Sequence, residues 1–134
     1  MEAAPEDQED RPWGCRGTVI EGADGTAVGT GAQNTVDMID DCNVPFSAAR
    51  VAQDYTLNGY GDWFLPSQDE ALLMSVHTTA VGLVESSAYW TSSEAPSTES
   101  DTQARYIFKN PNSDGSWSLT GKNDLLKVRS VRAF

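Results

Sequence analysis

Residues 59–70 read GYGDWFLPSQDE, and this stretch sets the path of the chain on both sides of it. Its two glycines allow the backbone angles of a tight turn. The apolar run at 63–65 predicts a short buried strand, which the following proline ends. Ser67 and Glu70 then have the S-x-x-E spacing of a capping box, so we expect a helix from Ser67 to about Thr79.

Two more helices are predicted before this stretch. The first takes its N-cap from Asn34 or Thr35 and ends near Cys42. The second begins at Ser47, and its apolar residues recur at the i, i+3, i+4 and i+7 positions of a helix. They form one stripe that we expect to face the core: Ala48, Val51, Ala52 and Tyr55.

Strands follow from residue 88 onward. The predicted strands cover 89–92, 105–109, 116–119 and 126–133, and polar turns separate them. Helices followed by a run of strands predict the α+β class, with two to three short helices packed on a twisted antiparallel sheet with long loops. A length of 134 residues favours a single domain that spans 1–134.

Charge is distributed unevenly along the chain. Residues 1–103 carry 18 acidic and 3 basic side chains, whereas residues 104–134 carry 2 acidic and 6 basic ones. The net charge of −11 argues against nucleic-acid binding, which requires a basic face. Two interpretations of the basic C-terminal part stay open. Its Lys and Arg side chains solvate the edge of a sheet, or they form a cationic surface for an anionic ligand.

The N-terminal part raises the question of export. It is acidic and lacks the apolar segment of a secretory signal, so either the protein is not exported or the signal lies outside this chain, which is the alternative we favour. No run of the sequence approaches the ~20 apolar residues that a membrane span needs. Residues 1–12 are charged and show no periodicity, which at first sight predicts a loose arm.

The chain has two cysteines, Cys15 and Cys42. Their separation excludes a CxxC motif, and the single His77 cannot complete a zinc site. A disulfide between them would close a loop of about 28 residues and stabilise the fold by about 3–4 kcal/mol. Two unrelated buried thiols are the alternative. We predict the disulfide, on condition that the compartment is oxidising.

Five segments of the chain together resemble one bacterial family. They are WGC at 13–15, GTGAQNT at 29–35, DWFLPS at 62–67, YWTSSE at 89–94 and VRSVRAF at 128–134. In this order they resemble the C-terminal domain of the Legionella collagen-like adhesin and its bacterial relatives. These domains are related to the C-type-lectin-like fold of formylglycine-generating enzymes and of retroelement-diversified receptor-binding proteins. The resemblance, from about residue 3 to the end, implies a C-type-lectin-like fold.

The start of the chain departs from that family. Relatives usually begin with a strand pair, whereas this chain opens directly at the segment that follows it. The resemblance therefore suggests that Met1 is an expression start or reflects a short gene model, with an upstream signal or stalk removed. It also implies that residues 3–10 are an ordered strand end. A sheet edge left open by a missing pair could be covered by another subunit.

Candidate catalytic and metal-binding residues are few. The formylglycine-generating relatives depend on a cysteine pair late in the fold, and this chain has no cysteine after Cys42. Nucleophilic catalysis needs an activated side chain with a base in reach, but the single His77 lies within the third predicted helix, where a surface or half-buried role is commoner. Asp40 and Asp41 leave a ligand or cation role open, but the calcium motifs of sugar-binding C-type lectins are absent. We expect a protein that is not an enzyme, with no cofactor and no metal.

Recognition by surface is the function that remains. We expect binding through loops and strand faces of the basic C-terminal part, at Arg105, Lys109, Trp117 and Lys122. The resemblance implies an extracellular or cell-surface adhesin domain that binds a glycan, including a sulfated one, or a partner protein, and forms a trimer. The chain's acidity weighs against a sulfated ligand. Two alternatives are an oligomerisation or capping module of a fibre or stalk, and a retroelement-diversified receptor-binding protein.

Overall fold

The computed structural model describes residues 2–56, 59–77, 82–84, 86–96, 100–110 and 115–133. Within these ranges the helices are Gly31–Asp41 (α1), Ala48–Asp54 (α2) and Gln68–Val76 (α3). The strands are Glu2–Ala3 (β1), Gln8–Arg11 (β2), Ala88–Glu94 (β3), Gln103–Phe108 (β4), Ser116–Gly121 (β5), Leu126–Val128 (β6) and Val131–Arg132 (β7). The predicted α+β class is confirmed.

The main sheet has five strands in the order β2-β6-β3-β4-β5, and β1 pairs with β7 in a separate two-stranded sheet. The prediction of a purely antiparallel sheet is wrong, because β6 lies beside β3 in the parallel direction, at Tyr89 and Lys127. After β5 the chain turns inward instead of forming a hairpin on the sheet edge. The backbone N–H of Lys122 donates to Thr102, and its carbonyl oxygen accepts from Gly14.

Strand β3 is the centre of the molecule because both faces of the sheet are covered. Its neighbouring residues Trp90 and Tyr89 are each 0% exposed and belong to two different apolar clusters. Trp90 packs in the cluster that includes residues of α1 and α2, whereas Tyr89 packs with residues of α3. Successive side chains of a strand point to opposite faces, so this alternation is what a two-sided core requires.

Helix α1 begins before the predicted N-cap. Thr30 occupies the N-cap position, and its side chain makes no capping hydrogen bond. Asn34 and Thr35 lie inside the helix and are buried, because each bonds to another segment. The Asn34 amide donates to the carbonyl oxygen of Gly25, and the Thr35 hydroxyl accepts from the N–H of Leu65 at 3.0 Å. The side chains of Asn34 and Thr35 therefore make tertiary hydrogen bonds and do not cap the helix.

The predicted starts of α2 and α3 are confirmed. The Ser47 hydroxyl accepts from the N–H of Arg50, and the capping box of Ser67 and Glu70 is complete. Helix α3 ends at Val76, earlier than the predicted Thr79, which lies outside the described residues. Before it, the apolar run at 63–65 is buried as predicted, but it makes only an isolated bridge between Phe64 and Val131 instead of a strand.

The N-terminal segment is ordered, so the first expectation of a loose arm is wrong and the ordered strand end implied by the resemblance is confirmed. Glu2 and Ala3 pair with Arg132 and Val131, and residues 8–11 form the edge strand β2. The predicted strand over 126–133 is split into β6 and β7. Between them the Ser130 N–H donates to the side-chain oxygen of Gln8 on β2, instead of to a backbone carbonyl of that strand.

The predicted disulfide between Cys15 and Cys42 is present, with a Cα–Cα distance of 5.9 Å. It joins the loop after β2 to the end of α1. Cys42 is 5% exposed and belongs to the apolar cluster that also contains Trp13 and Met38. The bond therefore ties the long loop at 16–30 to the helical face of the core.

Candidate ligand-binding cleft

The four residues predicted to bind a ligand do not share one surface. Lys122 is 0% exposed, and its ammonium group lies 2.7 Å from the Glu94 carboxylate and donates to the carbonyl oxygen of Thr18. Lys109 is 3% exposed and donates to the carbonyl oxygen of Asn110. The prediction that these two lysines present their charge to solvent is wrong, because both ammonium groups are bonded inside the protein.

Other basic residues of the C-terminal part are also paired within the chain. The Arg129 guanidinium is buried and lies 2.6 Å from Asp7. Arg132 pairs with Asp62 at 2.8 Å and with Glu2 at 3.1 Å. The hydrogen bond from Arg132 holds the pKa of Asp62 below its ordinary value. Three of the six basic residues at 104–134, namely Lys122, Arg129 and Arg132, thus form ion pairs with acidic residues from distant segments of the chain.

Arg105 and Trp117 do lie together at the surface, on the neighbouring strands β4 and β5. The guanidinium carbon of Arg105 is 4.7 Å from the centre of the Trp117 ring, which is a cation–π contact. Arg105 also donates from Nε to the carbonyl oxygen of Glu94 at 3.0 Å and from a terminal nitrogen to the Gln68 side chain at 2.9 Å. These bonds hold the guanidinium in place, and Trp117 stays 43% exposed.

A cleft of about 420 Å³ opens beside Arg105. Its walls come from the segment 19–24, the end of β3 with the loop after it, and β4. The lining residues are Val19, Ile20, Glu21, Gly22, Asp24, Glu94, Ala95, Pro96, Ser100 and Arg105. Small-ligand sites have volumes of roughly 300–1,000 Å³, so the cleft is large enough for one. The backbone N–H of Glu94 donates to Ala23, which fixes the two longer walls against each other.

Glu94 is the buried charged residue of this cleft. One carboxylate oxygen, Oε2, accepts from Lys122 at 2.7 Å and from the N–H of Ile20 at 2.8 Å. The other, Oε1, is buried and has no hydrogen-bond partner in the part of the chain that the structure describes. Burial raises the pKa of Glu94 above its ordinary value, and the charge of Asp24 adds to this, although the bonds from Lys122 and Ile20 act in the opposite direction.

Residues considered for catalysis and cation binding lie elsewhere. His77 is exposed at the C-terminus of α3 and does not line the cleft. Asp41 accepts a hydrogen bond from the N–H of Glu21, so it supports one wall from outside. Among the described residues, no group of three His, Cys, Asp or Glu side chains is placed to hold a metal ion. None of the described helices has the length and apolar character needed to cross a bilayer.

Sequence reasoning named Arg105 and Trp117 but missed the acidic side of the cleft. Glu94 is the last residue of the buried strand β3, and a carboxylate at the end of a buried strand is a signal that could have singled it out. Glu21 and Asp24 lie in a loop-rich stretch and have no distinguishing pattern. Only the tertiary fold places them beside Arg105.

No model of a known protein family matches the chain, and a search of curated proteins finds no match either.

Proposed function

We propose that this chain is a non-enzymatic recognition domain of an extracellular or cell-surface protein, and that it binds a glycan or a partner's surface in the cleft beside Arg105 and Trp117. One observation carries the proposal. The cleft is lined by Glu94, whose buried Oε1 lacks a partner among the described residues, and by Arg105, which holds the half-exposed Trp117 just outside the lining. Convergent polar groups beside an aromatic ring are typical of sites that bind polar ligands.

A C-type-lectin-like fold, as in the adhesin family that the sequence resembles, is part of this proposal. The pairing of β1 with β7, which brings the two ends of the chain together, supports it, as does the order of helices followed by strands. The disulfide supports an oxidising compartment. A sulfated ligand is disfavoured, because Lys109 and Lys122 are buried and the net charge is −11.

The experiment is a binding screen with matched aromatic variants. The protein is applied to arrays of immobilised neutral glycans, sulfated glycans and peptides, and each hit is measured again with Trp117→Ala and Tyr60→Ala. Tyr60 is the control because it is also exposed and also lies under an arginine, with the Arg132 carbon 3.9 Å from its ring centre. The difference is the arginine, because Trp117 stacks on Arg105, which lines the cleft, whereas Arg132 does not line it.

We expect Trp117→Ala to weaken binding by about tenfold or more, as loss of a stacking aromatic does at binding sites, and Tyr60→Ala to leave it unchanged. Absence of any ligand at low salt would contradict the proposal. So would a ligand whose affinity neither Trp117→Ala nor Arg105→Ala changes.

A second candidate function, an oligomerisation or capping module, has one observation in its favour. Strand β5 lies at the edge of the five-strand sheet, and Ser116, Trp117 and Ser118 on it are exposed. Exposed edge strands can pair with another chain. Sedimentation velocity distinguishes the two functions. A stable oligomer that Ser118→Pro dissociates would support the module, and a monomer at high concentration would contradict it.

A further inference from the structure

Two exposed carboxylates at the mouth of the cleft are not neutralised by the protein. Glu21 and Asp24 line the cleft and are exposed, and neither forms an ion pair with any described residue. Behind them lies Glu94, whose side chain is 0% exposed and whose Oε1 has no partner in the same described part of the chain. The mouth therefore carries negative charge, and the wall offers a buried acceptor.

The two cationic side chains described near these carboxylates, Lys122 and Arg105, already bond to groups within the protein. Lys122 bonds to the other oxygen of Glu94, and its ammonium group lies 4.7 Å from the centre of the Trp13 ring. Arg105 donates to two acceptors and stacks on Trp117. Neither reaches Oε1 within hydrogen-bonding distance. A buried acceptor without a donor is unfavourable, so a cationic donor placed close to Glu94 is favoured.

Apart from Gly22 and Ser100, the remaining lining of the cleft is apolar. Val19 is 50% exposed, and Ile20, Ala95 and Pro96 continue the apolar surface beside it. An apolar wall that ends at carboxylates matches a side chain with an aliphatic stem and a charged head.

We propose that the cleft binds a lysine or arginine side chain of a basic peptide, with its stem along Val19 and Ala95 and its cationic head near Glu94 and Asp24. This inference rests on the proposed recognition function and names the class of partner. A sugar hydroxyl would also supply a donor to Glu94, but it would leave the charges of Glu21 and Asp24 uncompensated. The net charge of −11 draws a basic peptide toward the surface and repels a sulfated chain.

The probe is an acetylated, amidated pentalysine peptide, followed by amide chemical shifts of the ¹⁵N-labelled protein. We expect saturable shifts at residues 19–24 and 94–96, and an affinity that falls as salt increases. Asp24→Asn and Glu21→Gln should each weaken binding about threefold, the size expected for an exposed ion pair. Both residues are exposed, so both variants are expected to fold.

The matched control is Asp54→Asn, which removes the same charge from the exposed end of α2, outside the cleft. If Asp54→Asn weakens pentalysine binding as much as Asp24→Asn does, the attraction is general and the inference is overturned. Shifts of 19–24 with a neutral cellopentaose but not with pentalysine would overturn the inference and leave the recognition function standing. If neither probe shifts the amide signals of the cleft and the array screen also finds no ligand, both the basic-peptide inference and the proposed recognition function are contradicted.

Discussion

At the scale of single residues, Gly31 shows how closely α1 approaches the capping box of α3. A Cβ atom at this position would lie 2.8 Å from the backbone nitrogen of Ser67 and 3.0 Å from the carbonyl oxygen of Leu65, and it would also meet the Glu70 carboxylate. Glu70 needs that space, because its second oxygen accepts from the N–H of Gly29. The glycine is therefore required by close packing rather than by an unusual backbone angle.

We expect Gly31→Ala to lower the free energy of unfolding by about 3 kcal/mol, because the new methyl group meets backbone atoms that cannot move away cheaply. Urea denaturation measures the change. Gly61→Ala is the matched control, since nothing lies within 4 Å of a Cβ there, and we expect it to change stability by less than about 0.5 kcal/mol. Equal losses in the two variants would contradict the packing argument.

Tyr89 has a buried hydroxyl group, so its titration shows whether the protein is folded. Its hydroxyl donates to Asp7 at 3.0 Å and accepts from the N–H of Val84 at 2.8 Å. Burial raises the pKa of Tyr89 to about 12, from an ordinary value of 10.0. Since the folded pKa is raised, the stabilising effect is fully present below pH 10 and is lost as the pH rises toward about 12.

In an absorbance titration at alkaline pH, we therefore expect a late phenol component that ionises near pH 12. Tyr89→Phe should remove this component, because the buried hydroxyl is gone, whereas Tyr60→Phe, which changes an exposed tyrosine, should keep it. A late component that survives in Tyr89→Phe would show that another group causes it.

At the scale of elements, the start of α3 is held by bonds beyond its own capping box. The Ser67 hydroxyl accepts from the N–H of Glu70 and donates to the carbonyl oxygen of Ala27 at 2.9 Å. The N–H of Asp69 donates to Thr26. The helix start thus also anchors the loop that leads into α1, so a local sequence motif fixes a contact between two elements.

Ser67→Ala should lower the free energy of unfolding by about 1–2 kcal/mol, because it removes the N-cap and also the hydrogen bond from Ser67 to the carbonyl oxygen of Ala27. Ser118→Ala changes an exposed serine on β5 and should be nearly neutral. Thermal unfolding compares the two. A loss below about 0.5 kcal/mol for Ser67→Ala would mean that the capping box contributes little here.

At the scale of the whole molecule, ion pairs join the two ends of the chain. Arg129 binds Asp7 across 122 residues of sequence, and its guanidinium also donates to the carbonyl oxygen of Ala4. The side chains of this pair are 3% and 19% exposed, so the charges are largely removed from water. Removing one carboxylate from such a pair takes a close counter-charge away from a buried guanidinium, which is costly.

Asp7→Asn should therefore destabilise the protein by about 3 kcal/mol, while Asp10→Asn, an exposed neighbour on β2, should have little effect. Hydrogen exchange adds a second measurement. We expect faster exchange at Ala4 and Val131 in Asp7→Asn, because the paired ends of the chain open together. Unchanged exchange and stability would show that this pair does not hold the ends.

The disulfide acts on the same scale, because it closes the loop between residues 15 and 42. The double variant Cys15→Ser/Cys42→Ser should lower the free energy of unfolding by about 3–4 kcal/mol in the chain-entropy model. Urea denaturation in the absence of reductant measures it. Labelling of the denatured, unreduced wild-type protein should find no free thiol, and two free thiols would refute the bond.

The candidate site was only half predictable. Arg105 and Trp117 were predictable because they are a cationic and an aromatic residue in predicted strands. The structure brings them together on adjacent strands. Glu94 and Lys122 are 28 residues apart, and nothing in the local pattern shows that they neutralise each other. Exposed and buried lysines look alike in a sequence, because burial depends on which carboxylate the fold brings within reach.

The sequence by itself determined the features that depend on neighbouring residues: the capping box at Ser67, the start of α2 at Ser47, the presence of a strand at 89–92 and the α+β class. Only the tertiary structure decided the parallel contact of β6 with β3, the pairing of Arg129 with Asp7, and the cleft between Asp24 and Arg105. Caps and periodic patterns act over a few residues. Strand order and charge pairing depend on contacts between distant segments, and a single sequence does not state which segments meet.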